Sequence, residues 1–348
     1  RNSKTSLVAA AAVAAPTEQV AFAVDAAPAA PSTAPGIEVA LVSLAARPGV
    51  LDSVLPKCLT RLGNQPLIGY VLEQLYAGGI KHIVIVIGAR GAFIRDEIMA
   101  LPIARRVVLH FVDLGPAYAS GFGRSLLAAG SLLSRPGEHF LLCTPDHIFD
   151  ASLVQELRTS TQREELDAVA LVEENARSVS GALPPTAVHV RFVPLQTAGQ
   201  WPGYRITQIG TRLDTQLPGQ VGIEAGLYRC SPVFFRVLAE MSSAREYLTV
   251  ADIMATIAAS GRLGAAMTAG RRWLALETVE QLESTISSTV GRDGRARFPW
   301  QVRTLRAGPL VAPFASARGV ETGRALAGDN ASRQLVLPLA DQKMPSFA

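Results

Sequence analysis

Lys57 is one of only four lysines among 33 basic residues, and it directly follows Pro56. These two close a loop, Ala45-Ala46-Arg47-Pro48-Gly49-Val50-Leu51-Asp52-Ser53-Val54-Leu55-Pro56, which leaves the apolar run Val39–Leu44. Asp146 and His147 stand just past a second apolar run, Leu141-Leu142-Cys143. Gly121 and Gly123 lie between Ser120 and Ser125 at the start of a helical pattern, and Glu277 sits two residues beyond Ala275. An ammonium and backbone N–H groups attract anions, whereas a carboxylate attracts a cation. Thiol and zinc chemistry have no comparable footing. Cys58, Cys143 and Cys230 are far apart and odd in number, and no CxxC or Cys/His cluster accompanies them. Cys143 and Cys230 fall in apolar runs and read as buried small residues of a reducing compartment.

The elements that must position these residues alternate between strand and helix. Short apolar, β-branched runs predict strands at 39–44, 82–87, 107–112, 139–143 and 168–173. Between them, 3.6-residue periodicity predicts helices over 66–78, 92–100, 123–133 and 152–159, the first ended by Gly78-Gly79. After Ala187 the tempo changes to strands at 187–192, 206–209 and 225–230. Helices follow at 232–240 and 250–260, then short strands at 265–268 and 272–276 and a closing helix at 279–290. Such alternation builds a mainly parallel sheet with helices on both faces, here with an antiparallel insertion. Ligands of such sheets bind at the carboxyl ends of strands, near a switch in strand order. That directs attention to the loops 45–56, 115–123, 144–150 and 275–278.

The 348 residues are 49% hydrophobic and 18% charged, enough for a sizeable core and incompatible with wholesale disorder. The net charge of +4 is unevenly placed. Residues 37–290 hold 22 basic and 23 acidic residues, while 291–348 hold nine basic and four acidic. The expected domain is therefore near neutral, and with no aromatic-basic face a nucleic-acid partner is not expected. Residues 1–36 read as an Ala/Pro-rich disordered leader; Arg1 and Lys4 ahead of the apolar stretch Leu7–Ala15 keep a cleaved organelle-targeting leader open. That stretch is too short to span a bilayer, so no membrane span is expected and a cytoplasmic setting is. Residues 291–348 read as a low-order basic tail with short strands near 310–312 and 335–337.

The loop from Leu44 to Lys57, followed by Gly63-Asn64-Gln65-Pro66-Leu67-Ile68, resembles the signature of nucleotidyltransferases of the MobA-like type, which join an NTP to a phosphorylated sugar or alcohol. Its short spacer is similar to that of inositol-1-phosphate and phosphocholine cytidylyltransferases. Four later stretches fit the same family in order: Ser120-Gly121-Phe122-Gly123-Arg124-Ser125, Cys143-Thr144-Pro145-Asp146-His147-Ile148-Phe149, Glu224-Ala225-Gly226-Leu227-Tyr228-Arg229-Cys230-Ser231-Pro232 and Trp273-Leu274-Ala275-Leu276-Glu277-Thr278. The resemblance implies a three-layer α/β/α Rossmann-like (GT-A-like) fold with a mixed, mainly parallel sheet over 37–290. It implies transfer of CMP from CTP to an alcohol phosphate such as inositol 1-phosphate, with Mg²⁺ and release of pyrophosphate. Lys57 and Arg47 then take the catalytic roles. Leu44, Ala45, Ala46, Gly49, Ser120, Gly121 and Ser125 line the nucleotide, and Asp146 and Glu277 hold the metal. His147 reads as structural rather than as a general base, because the attacking phosphate is already ionised. A homo-oligomer is compatible with all of this.

Three positions depart from the family pattern. Arg47 replaces the first signature glycine, Leu51 the catalytic arginine and Ala275 the second metal-binding aspartate. Arg47, four residues before Leu51, could return a guanidinium to the phosphates, and Glu277 could replace the carboxylate missing at 275. Two alternatives stay open beside the cytidylyltransferase. One is a silent homologue that binds nucleotide or sugar phosphate and regulates a partner; the other is a hexose-1-phosphate guanylyl- or uridylyltransferase.

Overall fold

The structure, a computed structural model, describes residues 37–45, 55–115, 121–135, 137–160, 165–175, 187–195, 201–245, 247–276, 285 and 335–338. Its strands and helices begin with β1 (Val39–Ser43), the small β2 (Arg61–Leu62) and β3 (Gln65–Pro66), α1 (Leu67–Ala77), β4 (His82–Ile87), α2 (Gly91–Met99) and β5 (Val108–Asp113). Next come α3 (Gly121–Leu127), α4 (Gly130–Leu133), β6 (Phe140–Cys143), β7 (His147–Phe149), α5 (Ala151–Thr159) and β8 (Ala168–Glu173). The second half adds β9 (His189–Pro194), β10 (Tyr204–Gly210), β11 (Gln220–Cys230), α6 (Val233–Ala244), α7 (Val250–Ala259), β12 (Leu263–Met267), β13 (Trp273–Ala275) and β14 (Leu335–Pro338).

The main sheet runs β14-β5-β4-β1-β6-β11-β8-β12-β10-β9. Its first five strands are all parallel. Beyond β6 the pairing turns antiparallel, except where β12 lies parallel to β8. β9 also pairs with the amino half of β11, so β8 to β12 close on themselves.

Strand alternation builds the three layers. Ile83, Ile85 and Ile87 of β4 face one core with α1, α2 and α5, while Val84 and Val86 face the other with α3, α6 and α7. Each fully buried Ile or Leu contributes roughly 1.5–3 kcal/mol. Helix ends follow local chemistry. Gly79, at φ +98°, lets the chain leave α1 in a left-handed turn. Thr249 and Asp252 form a reciprocal capping box on α7, and Asp150 accepts from the Ser152 N–H to start α5.

The strand expected at 206–209 is longer, at 204–210, and that at 225–230 extends back to 220. The segment 144–150, expected as a loop, contains β7, which pairs antiparallel with β13 in a small ladder apart from the main sheet. The helix at 279–290, except Thr285, and the strand at 310–312 lie outside the described residues, as do 1–36. Leu335–Leu337 falls in β14, parallel to β5. The sheet thus takes a strand from beyond residue 290, where the sequence pattern ends the domain.

Candidate active site

β1 has β4 on one side and β6 on the other, so strand order reverses there. The carboxyl ends of β1 and β6 form the crevice that such a reversal creates. At the end of β1, Ser43 shares a buried 2.8 Å hydrogen bond with Ser125 of α3. At the end of β6, the chain passes through Thr144 and Pro145 to Asp146.

Lys57 reaches the same place from a tight turn. Leu59 N donates to Pro56 O at 2.8 Å and Thr60 N to Lys57 O at 3.0 Å. Cys58 and Leu59 are buried in the core beneath, which leaves the Lys57 side chain to point outward. Its Nζ lies 2.7 Å from Asp146 Oδ2, with the two side chains 25% and 21% exposed. Burial alone would push the Asp146 carboxyl up. The hydrogen bond and charge of His147, with the Lys57 ammonium, outweigh that and hold it well below the usual carboxylate range.

The other carboxylate oxygen, Oδ1, is 2.9 Å from His147 Nδ1, and the same nitrogen is 2.8 Å from Thr144 Oγ1. Thr144 Oγ1 in turn donates to Gly226 O at 3.2 Å. The His147 ring stacks in a file with Trp273, centroids 5.7 Å apart and planes 10° apart, and Phe149, at 6.3 Å and 16°. Trp273 Nε1 donates to Glu173 Oε2 at 3.3 Å, and Thr268 Oγ1 donates to the same oxygen at 2.9 Å. Gly226 makes the close packing on β11 feasible. Its φ is +78°, and a Cβ there would stand 2.7 Å from His147 Cγ and against Thr144 Oγ1. Glu224, buried two residues earlier, accepts from the Gly226 N–H, and burial followed by the Glu224 charge pushes the Tyr228 hydroxyl up.

The two charged residues read from separate motifs, Lys57 and Asp146, are therefore in contact. Leu44 N donates to Val86 O at 2.7 Å, and Ala45 is buried beside it. Gly121 opens α3. Ser125 is fully buried, and its hydroxyl shares the hydrogen bond with Ser43 that ties α3 to β1. Gly123 serves packing too: its N–H donates to Leu248 O at 2.8 Å, and a Cβ would stand 2.7 Å from that oxygen. Arg47, Ala46, Gly49, Ser120 and Glu277 lie outside the described residues, with Pro48 and Leu51. Ala275 pairs with His147, so a methyl group occupies the position where the family pattern has a carboxylate. Thr144, Gly226 and Glu224 also shape this site, although the family stretches that contain them assign them no role. A glycine inside an otherwise apolar strand was the available signal for Gly226.

Among the described residues, no group of three or more His, Cys, Asp or Glu could hold a metal. Among the described residues, Asp146 offers its carboxylate to Lys57 at 2.7 Å. That donor set suits Mg²⁺ bound mainly by substrate phosphates and water, which needs only one or two protein carboxylates. Also among the described residues, no helix is long and apolar enough to cross a membrane.

Comparison with known proteins agrees with this geometry. A family model described as MobA-like NTP transferase domain matches residues 44–337. The chain is 32% identical over 238 residues to the bifunctional IPC transferase and DIPP synthase of Rubrobacter xylanophilus, covering 68% of this chain and 48% of that protein. It is 33% identical over 123 residues to the bifunctional protein GlmU of Pelotomaculum thermopropionicum, covering 35% and 25%. The chain thus spans at most about half the length of these relatives. Two solved structures share the fold. One is the inositol-1-phosphate CTP transferase from T. maritima (TM-score 0.56, 16% identity, 74% of this chain and 98% of that one). The other is a UDP-glucose pyrophosphorylase complexed with UDP-glucose (0.55, 18%, 72% and 97%).

Proposed function

We propose, from the premise that this chain belongs to the family of MobA-like NTP transferase domains, that it transfers CMP from CTP to a phosphorylated alcohol such as inositol 1-phosphate. The observation that carries the reading is the Lys57–Asp146 pair, 2.7 Å apart at the switch point of the sheet. The Asp146-His147-Ile148-Phe149 stretch and the similarity to an IPC transferase and to an inositol-1-phosphate CTP transferase support this acceptor over a hexose 1-phosphate.

In this reaction an oxygen of the acceptor phosphate attacks the α-phosphorus of CTP. A new P–O–P bond forms, the α–β bridging bond breaks, and pyrophosphate leaves with the electron pair. Charge accumulates on phosphate oxygens, so positioning and electrostatic stabilisation supply most of the rate. Lys57 turns from Asp146 to the phosphates and neutralises that charge. The loop after β1, with Leu44, Ala45, Ala46, Gly49 and Arg47, wraps the triphosphate, and Ser120 and Gly121 approach the base. Asp146, with Glu277, would hold Mg²⁺, which when bound adds positive charge at the phosphates.

Ala275, a methyl group opposite His147, favours the second reading, a silent nucleotide-binding homologue. A pyrophosphate-release assay with Mg²⁺ separates the readings. It pairs CTP, UTP, GTP and ATP with inositol 1-phosphate, phosphocholine, 2-aminoethylphosphonate and hexose 1-phosphates. Turnover is expected with CTP and an alcohol phosphate. Turnover only with a hexose 1-phosphate would replace the acceptor class, and nucleotide binding without any turnover would establish the silent homologue.

A further inference from the structure

We infer that His147 is a positioning residue, whose Nδ1–H fixes the rotation of the Asp146 carboxylate so that Oδ2 faces Lys57. The inference rests on the proposed role of Asp146 in nucleotidyl transfer. A carboxylate can only accept, so the 2.9 Å contact between Nδ1 and Asp146 Oδ1 needs a proton on Nδ1. Thr144 agrees with that assignment. Its hydroxyl donates to Gly226 O, which leaves an oxygen lone pair for the same Nδ1–H at 2.8 Å. One proton is thereby shared between Asp146 and Thr144.

The imidazole has little freedom to turn. It is 5% exposed, stacks in file with Trp273 and Phe149, and lies against the position of the missing Gly226 Cβ. Trp273 is anchored by its own hydrogen bond to Glu173, itself buried and bonded to Thr268. The backbone of Asp146 is tied as well, since Leu276 N donates to Asp146 O at 2.9 Å. The main chain and one carboxylate oxygen are thus fixed by neighbours, and the remaining oxygen has one direction in which to meet a cation. With Ala275 supplying no second carboxylate, that direction matters more to the charge arrangement than it would in a site with two.

An ¹⁵N NMR spectrum of the histidine-labelled wild-type protein, with His147 assigned by comparison with His147→Asn, tests the assignment directly. A protonated Nδ1 is expected; an Nε2–H tautomer with bare Nδ1 overturns the inference. Kinetics supply the second arm. His147→Asn places an amide N–H near the position of Nδ1, whereas His147→Gln places it near Nε2. His147→Asn should keep kcat within about 3-fold, while His147→Gln should lose about 30-fold in kcat with KM for the nucleotide changed less than about 2-fold. Equal loss in the two variants overturns the inference. If the wild type turns over no NTP and acceptor pair, the transfer reading fails, and the NMR arm alone supports or overturns the role of His147.

Discussion

Lys57 Nζ and Asp146 Oδ2 meet at 2.7 Å across 89 residues of sequence, so the candidate site joins its ammonium and its carboxylate in one ion pair. Neither can engage a third charged group without sharing or leaving the other. Lys57→Met and Asp146→Asn should each lower kcat by about 10²–10³-fold. The double variant should lose far less than the product of the two, because the residues act as a unit. A double-mutant cycle on pyrophosphate release checks this, and additive losses would count against a shared role.

Gly226→Ala should destabilise the fold by about 2–4 kcal/mol, from a positive φ and a Cβ forced against Thr144 and His147. Urea unfolding measures the loss. The partner substitution Thr144→Ala should restore part of it by making room.

Three histidines away from the site set an acid limit on stability. Burial lowers the pKa of His82, His110 and His139; His82 adds to this at His110 and Arg229 at His139, while Glu38 at His82 and a backbone hydrogen bond with Gly137 at His139 offset part of it. Each is a base that is neutral in the fold at a pH where the unfolded chain, near 6.5, already binds a proton. The unfolded state then holds more protons, so stability falls as pH drops below about 6.5 and levels off once the folded pKa is passed. Urea midpoints from pH 8 to pH 5 should follow that course, and His110→Gln should flatten the slope.

Chelation should separate catalysis from folding. With no cluster among the described residues able to hold a metal without substrate, EDTA should abolish turnover and leave Tm unchanged. A fall in Tm on chelation would mean that a structural ion is present.

The alternation of β1, α1, β4, α2 and β5 was legible because the strands are short, largely apolar runs, β4 the most β-branched, and α1 ends at Gly78-Gly79. Lys57 stood out through the scarcity of lysine, and Asp146 through its place after an apolar run. Their contact was not legible, because it arises from the adjacency of β1 and β6 in space. β7 escaped notice because three residues carry no period, and its pairing with β13 joins segments more than 100 residues apart. The Ser125 contact was not legible for the same reason: its hydroxyl meets Ser43, 82 residues away and a neighbour only in the folded chain.

β11 spends its carboxyl half beside β6 and its amino half beside β9, with the Glu224–Tyr228 bulge between them. One continuous strand thus seams the parallel half of the sheet to the antiparallel half, with Gly226 at the seam. A hinge between the halves would have to bend β11 where His147 and Thr144 rest on it. Bending β11 there would break the close packing of Thr144 and His147 on Gly226.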